Sequence, residues 1–521
     1  MLEVLRELLS EGRDQEVLAL FSKLVARNSE LERRLAQLLS RGRKSERVSS
    51  AQLLLLLNQL SAQGAKELDE ANQKLRDASG IDQNKEQEPK TEPKRKQPPL
   101  RRPVPPNLRR VDNPLRVPDE ERPCPRCGAE RVCIGHDVTE VIDIIPAEVI
   151  VRRDLREKLA CEKCEAEVIR APIGDKVVTG GRLGARLVSE LVVDKYRDGL
   201  PLYRDKQRLE RLGLSLPTST LGDQITWATD LMQPLWRAAL WRVLVAKVMH
   251  LDGTSLPVLD RDSPAGKKLG ALWGYVGDQE VAAILYASTA KKLGQQPGEL
   301  GPEDVLRLRR GYVVADASNL FDLSFKRDEL IECGCNMHAR RYWVKALDAG
   351  DTRAALPLAA FKKLYEIEDE IRDLDADGKR AARQARSKPV YDELVSWAET
   401  HKPHEPPSSS TGAAIRYLTN HKVALRRFLD DGVIPIDNGI VERLHTRTAI
   451  TRKAFLFAGS DAGGQRAAIA YTILGCCQLA EVNPVEYLAE VLPRLARGGI
   501  RLTDVPELLP DRWKQTRIPP T

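Results

Sequence analysis

Hydrophobic spacing divides the chain into segments of different character. Over residues 1–78, Val17, Leu20, Leu24, Leu31 and Leu38 fall near an a/d seam with Leu35 beside it, while Glu, Arg and Lys fill the other faces. A second apolar stretch, Leu53 to Leu60, leads into polar Ala- and Glu-rich sequence. This predicts helix, serving either as an oligomerising zipper or as an amphipathic helix packed on its own domain; Arg27 and Asn28 interrupt the seam. Helical spacing returns at 182–245, where Leu183, Leu187, Leu191, Val192 and Tyr196 share a face. Tyr203 to Leu212 reads as a short charged helix ended by Gly213, and Ser219 as the cap of a second helix from Thr220 to about Trp241. The pair is compatible with a helix-turn-helix carrying Arg204, Lys206, Arg208 and Arg211 on its first helix, or with an ordinary packed helix pair.

From Val243 the spacing switches to that of strands. Val245 to Val258, Leu269 to Val276 and Val281 to Ser288 read as three strands, Pro302 to Arg309 as a short helix, and Gly311 to Asp316 as a fourth strand. This order suits an antiparallel meander whose last strand runs parallel to the first, which sets Asp252 and Asp316 side by side.

At 521 residues, 42% apolar and 30% charged, the chain has the make-up of a multidomain globular protein, not of a collagenous or disordered one. Apolar runs such as Leu53 to Leu57 are far too short for a membrane span, so no membrane association is expected. Met1-Leu2-Glu3-Val4 does not begin a secretory signal, which makes the cytoplasm the expected compartment. The net charge of +7 is mild, but between Lys90 and Pro118 there are nine Lys/Arg, two acids and eight prolines. Residues 79–120 therefore read as a basic Pro-rich linker, and Lys94-Arg95-Lys96, Arg101-Arg102 and Arg109-Arg110 suit non-specific phosphate contact as well as spacing.

Nine cysteines, an odd number without an export signal, argue against a disulfide framework. Cys124-Pro-Arg-Cys127 and Cys161-Glu-Lys-Cys164 are two knuckles 33 residues apart, and their four thiolates suit structural Zn²⁺. Between them Val138 to Ile145 and Ala147 to Val151, hinged at Pro146, read as a hairpin that returns the second knuckle to the first. Cys133 and His136 are alternative ligands. Cys333 and Cys335 read as buried packing residues.

Two adjacent carboxylates are costly unless a cation neutralises them or they share a proton. Oxygen ligands of this type suit Mg²⁺ or Mn²⁺, and phosphodiester chemistry uses two such ions with a third carboxylate. The candidate is Glu442, inside a helix that begins at Ile436-Asp437-Asn438-Gly439 with Asp437 as its cap.

Asp252-Gly-Thr, Val314-Ala-Asp316, Met337-His338-Ala339-Arg340-Arg341, Asp437-Asn438 with Glu442-Arg443, Arg452-Lys453-Ala-Phe-Leu-Phe457-Ala-Gly459-Ser460 and Glu507-Leu-Leu-Pro510 with Trp513 resemble, in this order, the insertion-sequence-66 type of DDE transposase. The resemblance implies an RNase H-like mixed α/β catalytic core with Asp252, Asp316 and Glu442 as metal-binding catalytic acids, interrupted by a helical insertion. Helical stretches at His338 to Ala349, Ala354 to Leu374 and Pro389 to Thr400, with a loop at Pro403 to Ser410, agree with it. His338, Arg340 and Arg341 match the family's HxRR-like segment; they read as DNA contacts, or as a packed histidine with solvated arginines. Arg452 and Lys453 read as a clamp on the DNA backbone or as surface charges. The chain departs from the family where Gly253 replaces an acid, Gly439 an asparagine and His445-Thr446 an Arg-Pro.

The expected organisation is a multidomain α+β chain. It has a helical segment at 1–78, the linker at 79–120, a zinc-ribbon-like module at 121–172 and a helix-turn-helix-like segment at 173–245. The core spans 246–330 and 431–480 around an insertion at 331–430, and a tail occupies 481–521. The function implied is a transposase that cuts and joins double-stranded DNA at its element's ends and in the target, as a homo-oligomer, with companion proteins of the same element suggested by the family. A catalytically inactive zinc-dependent DNA-binding derivative and an RNase H-like nuclease are the rival readings.

Overall fold

The computed structural model describes residues 66–80, 148–155, 157–159, 169–170, 176–178, 181–318 and 320–517. Two compact units divide the chain, one of residues 84–151 and one of 1–83 with 152–521. In the first, Glu148 to Val151 are described; they form no strand, and Ile150 and Val151 are 68% and 91% exposed. Over these described residues the expected strand is therefore not formed. The seam at residues 1–65, nearly all of the basic linker, and Cys124, Cys127, Cys133, His136, Cys161 and Cys164 lie outside the described residues. In the second unit Lys158–Leu159 pairs antiparallel with Ile169–Arg170, and these short strands flank the second knuckle in sequence.

A five-stranded mixed sheet anchors the second unit. Its strands are β1 (Val248–Leu259), β2 (Lys267–Gly277), β3 (Val281–Ala287), β4 (Gly311–Ala315) and β5 (Leu330–Gly334), in spatial order β3-β2-β1-β4-β5. The meander β1-β2-β3 is antiparallel, and β4 and β5 run parallel to β1. The first four strands and the helix Pro302–Leu308 match the expected order. The fifth, β5, falls where the helical insertion was expected to begin. Its five residues Leu330-Ile-Glu-Cys-Gly334 are too few to show a period, and their pairing with β4 fixes them as strand. Along the edge strand β3, Ile284 N–H donates to Thr472 Oγ1 (2.7 Å) and its carbonyl accepts from Trp236 Nε1 (2.9 Å), so this edge is closed to further pairing.

Helices pack around the sheet. The N-terminal part of this unit has α1 (Lys66–Ala78), α2 (Ala185–Tyr196), α3 (Leu202–Arg211), α4 (Thr218–Leu231) and α5 (Gln233–Val245). The single helix expected from Thr220 to Trp241 is two, because Pro234 in the first turn of α5 lacks an N–H and crowds the carbonyl four residues back. The residue capping α4 is Pro217, not Ser219. After β5 come α6 (Asn336–Asp348), α7 (Ala355–Glu370), α8 (Lys388–His401) and α9 (Ser410–Asn420), then α10 (Gly439–Phe455), α11 (Asp461–Leu479) and α12 (Pro484–Arg497). One apolar core joins sheet and insertion, with Val248 and Val314 in the same cluster as Trp343, Phe361 and Trp397. Helix α1 completes it: Leu75 is fully buried, and Asn72 Oδ1 accepts a 2.8 Å bond from Trp397 Nε1. Among the described residues no helix is long and apolar enough to cross a membrane.

Candidate active site

Parallel pairing of β1 with β4 matches Leu251 to Ala315, so Asp252, within β1, and Asp316, just past the end of β4, stand at the same level on adjacent strands. Asp252 Oδ1 accepts from the N–H of Gly253 (2.8 Å), and its carbonyl lies 3.2 Å from His445 Nε2 on α10. Gly253 lies against Trp273 of β2; a Cβ there would come within 2.4 Å of the indole ring. Asp316 Oδ1 accepts a 2.9 Å bond from the Tyr417 hydroxyl on α9. Burial raises the Tyr417 pKa, so the hydroxyl stays protonated as a donor.

Glu442 sits in the first turn of α10, whose N-cap is Asn438 and not Asp437. Asp437 instead accepts from Gly439 N–H and Tyr365 OH, both at 2.8 Å. Asn438 is fully buried and ties the helix start to the sheet. Its Nδ2 donates to Leu251 O (2.8 Å), its Oδ1 lies 3.0 Å from His250 Nδ1, and its backbone N–H donates to Cys335 Sγ (3.2 Å).

His338, in the first turn of α6, lies between the acids. Its Nε2 is 3.5 Å from Asp316 Oδ2 and its Nδ1 is 3.5 Å from Glu442 Oε1. One turn on, Arg341 donates to Glu442 Oε2 at 3.4 Å. Arg340 acts electrostatically on the Tyr365 hydroxyl. Burial raises the Asp252 pKa, the Gly253 amide, His338 and Arg341 oppose that rise, and Asp316 adds to it. Neither His338 Nδ1 nor Glu442 Oε1 has a hydrogen-bond partner, although both atoms are buried. Asp252, raised by burial and by neighbouring Asp316, together with an orphaned carboxylate oxygen of Glu442, is a donor set that a hard divalent cation satisfies.

The basic residues divide. Arg452, in the last turn of α10, donates to the carbonyl and the hydroxyl of Ser255 on β1, so its guanidinium fixes the helix to the strand. Lys453 beside it is exposed. On α3, Arg208 is bound to Asp194 and Asp205, and Lys206 pairs with Glu210 at 3.6 Å. Arg204 and Arg211 are exposed. Cys333 and Cys335 are buried, as expected of packing residues. No sequence motif marks Tyr417 as a site residue; Asn438 stands in the Asp437-Asn438 pair, but nothing in the sequence assigns it a contact.

Comparison with known proteins agrees with this picture. The model of the "Transposase IS66 family" matches residues 180–466, and that of the "zinc-finger binding domain of transposase IS66" matches residues 121–165. The second match includes both knuckles and supports a structural Zn²⁺ there. Uncharacterized protein y4hP of Sinorhizobium fredii (strain NBRC 101917 / NGR234) is 31% identical over 442 residues, 80% of this chain and 77% of its own. Uncharacterized protein y4jD of the same organism is 30% identical over 425 residues, 80% of this chain and 82% of its own. A family whose members are transposases implies an enzyme acting on DNA. With a family match that spans more than half of its length, this chain belongs to the Transposase IS66 family.

Proposed function

We propose that the chain is a DNA transposase that binds the ends of its insertion sequence as a homo-oligomer and cuts and rejoins phosphodiester bonds with an RNase H-like DDE core. The observation that carries the reading is His338, 3.5 Å from both Asp316 and Glu442, two acids separated by more than a hundred residues of chain. The sheet order β3-β2-β1-β4-β5, with an antiparallel meander and two further parallel strands, supports the core assignment. So does the interruption of that core by helices α6 to α9 ahead of Glu442.

In this reading Asp252, Asp316 and Glu442 hold two Mg²⁺ or Mn²⁺ ions. When bound, such ions polarise the attacking oxygen and stabilise the leaving one. The chain's own residues do the rest. Asn438 holds the start of the Glu442 helix against the Asp252 strand, and Tyr417 holds one oxygen of Asp316 by a hydrogen bond. Arg341 orients Glu442 and, with His338 and Arg340, offers donors to phosphate oxygens. Water first attacks the scissile phosphorus and the 3′-oxygen leaves as a hydroxyl. That hydroxyl then attacks a target phosphodiester, whose own 3′-oxygen departs. No protein–DNA bond forms. Exposed Lys453 and the basic linker contact the backbone, and companion proteins of the element assist assembly.

The test is incubation of the zinc-loaded chain with duplex DNA carrying the element's ends, Mg²⁺ and no RNA. Cleavage and strand transfer by the wild type, lost in Asp316→Asn with DNA binding kept, support the reading. Binding without cleavage in both proteins would make the chain a DNA-binding derivative.

A further inference from the structure

A second metal-binding arrangement overlaps the acid cluster and uses a residue that the catalytic reading leaves idle. Cys335 caps the start of α6, and its side chain lies in the floor of the site, fully buried. One ligand atom each of Cys335, His338 and Glu442 lie within 4.8 Å of one another. The spacing Cys335-x-x-His338 across the first helical turn sets thiol and imidazole on one side of α6, and Glu442 meets them from α10.

The polar environment matches a bound transition metal in three respects. His338 Nδ1 and Glu442 Oε1 face each other at 3.5 Å, and neither has a hydrogen-bond partner. The opposite nitrogen, Nε2, is 3.5 Å from Asp316 Oδ2, and Asp316 is held in turn by Tyr417 at 2.9 Å. A metal-bound histidine characteristically directs its other ring nitrogen at a carboxylate, which sets the tautomer and strengthens the ligand. Finally, the backbone N–H of Asn438 donates to Cys335 Sγ at 3.2 Å, which fixes the sulfur beside His338 and Glu442.

We propose that Cys335 Sγ, His338 Nδ1 and Glu442 Oε1 form a site for a soft divalent cation of the zinc class, distinct from the knuckles, and that its occupation switches the enzyme off. Mixed sulfur, nitrogen and oxygen donors select Zn²⁺, Cd²⁺ or Co²⁺ over Mg²⁺. Three protein ligands leave one tetrahedral position for water. Binding displaces the thiol proton to solvent. It also takes Glu442 away from the hard-cation site and commits Asp316 to orienting His338, so the two metal states exclude each other. The inhibitory half of the proposal rests on the catalytic reading of Glu442; the binding half does not.

The experiment uses the full chain with its knuckles already filled by zinc. Co²⁺ is titrated in, and the thiolate-to-cobalt charge-transfer absorption is followed in wild type and Cys335→Ser. The expected result is about one further equivalent carrying that absorption in the wild type and none in C335S. In parallel, added Zn²⁺ should depress Mg²⁺-dependent cleavage of end DNA by more than about tenfold in the wild type and leave C335S far less affected. Cobalt binding without a sulfur absorption, or an absorption unchanged in C335S, overturns the site. If C335S does not fold, X-ray absorption of wild-type protein loaded with the extra cobalt decides, since a shell of oxygen and nitrogen alone would contradict a thiolate ligand. Should neither protein cleave DNA, the catalytic reading fails while the cobalt spectrum still judges the binding site.

Discussion

Asn438 donates its side-chain amide to the carbonyl of Leu251 across 2.8 Å, joining the helix that carries Glu442 to the strand residue just before Asp252. The same side chain meets His250 at 3.0 Å and is fully buried, so water replaces neither contact. Asn438→Ala should lower the unfolding free energy by about 2–4 kcal/mol, because it orphans a buried carbonyl and a buried imidazole together. Denaturant unfolding measures this. A loss below about 0.5 kcal/mol would show the bonds to be incidental.

Gly253 is confined by its cross-strand neighbour Trp273. The glycine admits the Trp273 ring, which a Cβ would meet at 2.4 Å. Trp273 is in turn packed edge-on to Phe321, with ring centroids 6.3 Å apart, and cannot withdraw without disturbing that pair. Gly253→Asp should therefore destabilise the protein by about 1–3 kcal/mol and reduce cleavage. Thermal unfolding checks the first part and an end-cleavage assay the second.

Tyr417 reaches Asp316 from the helical insertion. Removing its hydroxyl in Tyr417→Phe should free Asp316 to rotate and slow cleavage about tenfold, with stability changed by no more than about 1.5 kcal/mol. Cleavage kinetics at saturating DNA separate this positioning effect from weaker binding. Unchanged kinetics would make the contact a packing feature.

Buried histidines set the response to acid. His250 is lowered to about 4 by burial, and so is His401, against an ordinary value of 6.5. Between these values the unfolded chain holds protons that the folded one does not. Stability from these groups is then complete above the unfolded pKa and falls as pH drops from about 6.5 towards 4, by up to about 3 kcal/mol for each. The urea midpoint should be lower at pH 5 than at pH 7, and a flat or rising midpoint would contradict the burial of neutral imidazoles.

Much of the core was legible because its signals are local. Alternation and turn residues gave β1 to β4 and their order, and a carboxylate in the middle of one strand and another at the end of its parallel neighbour singled out Asp252 and Asp316 as candidates. Buried cysteines at 333 and 335 were likewise foreseen from their isolation. What the residues alone left open depends on long-range contact. Five residues of β5 are strand because β4 lies beside them, Arg452 serves β1 because Ser255 is there to accept, and Tyr417 matters because the insertion folds back over Asp316. Pro234 was a visible signal, and its break in the helix at Met232 follows from proline's missing N–H.

The proposed metal-holding role of Glu442 depends on tertiary folding, which brings its carboxylate to His338 beside Asp316. Mn²⁺ binding to the zinc-loaded chain, followed by electron paramagnetic resonance in wild type and Glu442→Gln, addresses it directly. A weakening of about 10–100-fold in the variant, with the fold intact by circular dichroism, is the predicted result. Mn²⁺ bound with the same affinity and stoichiometry by both proteins would contradict it.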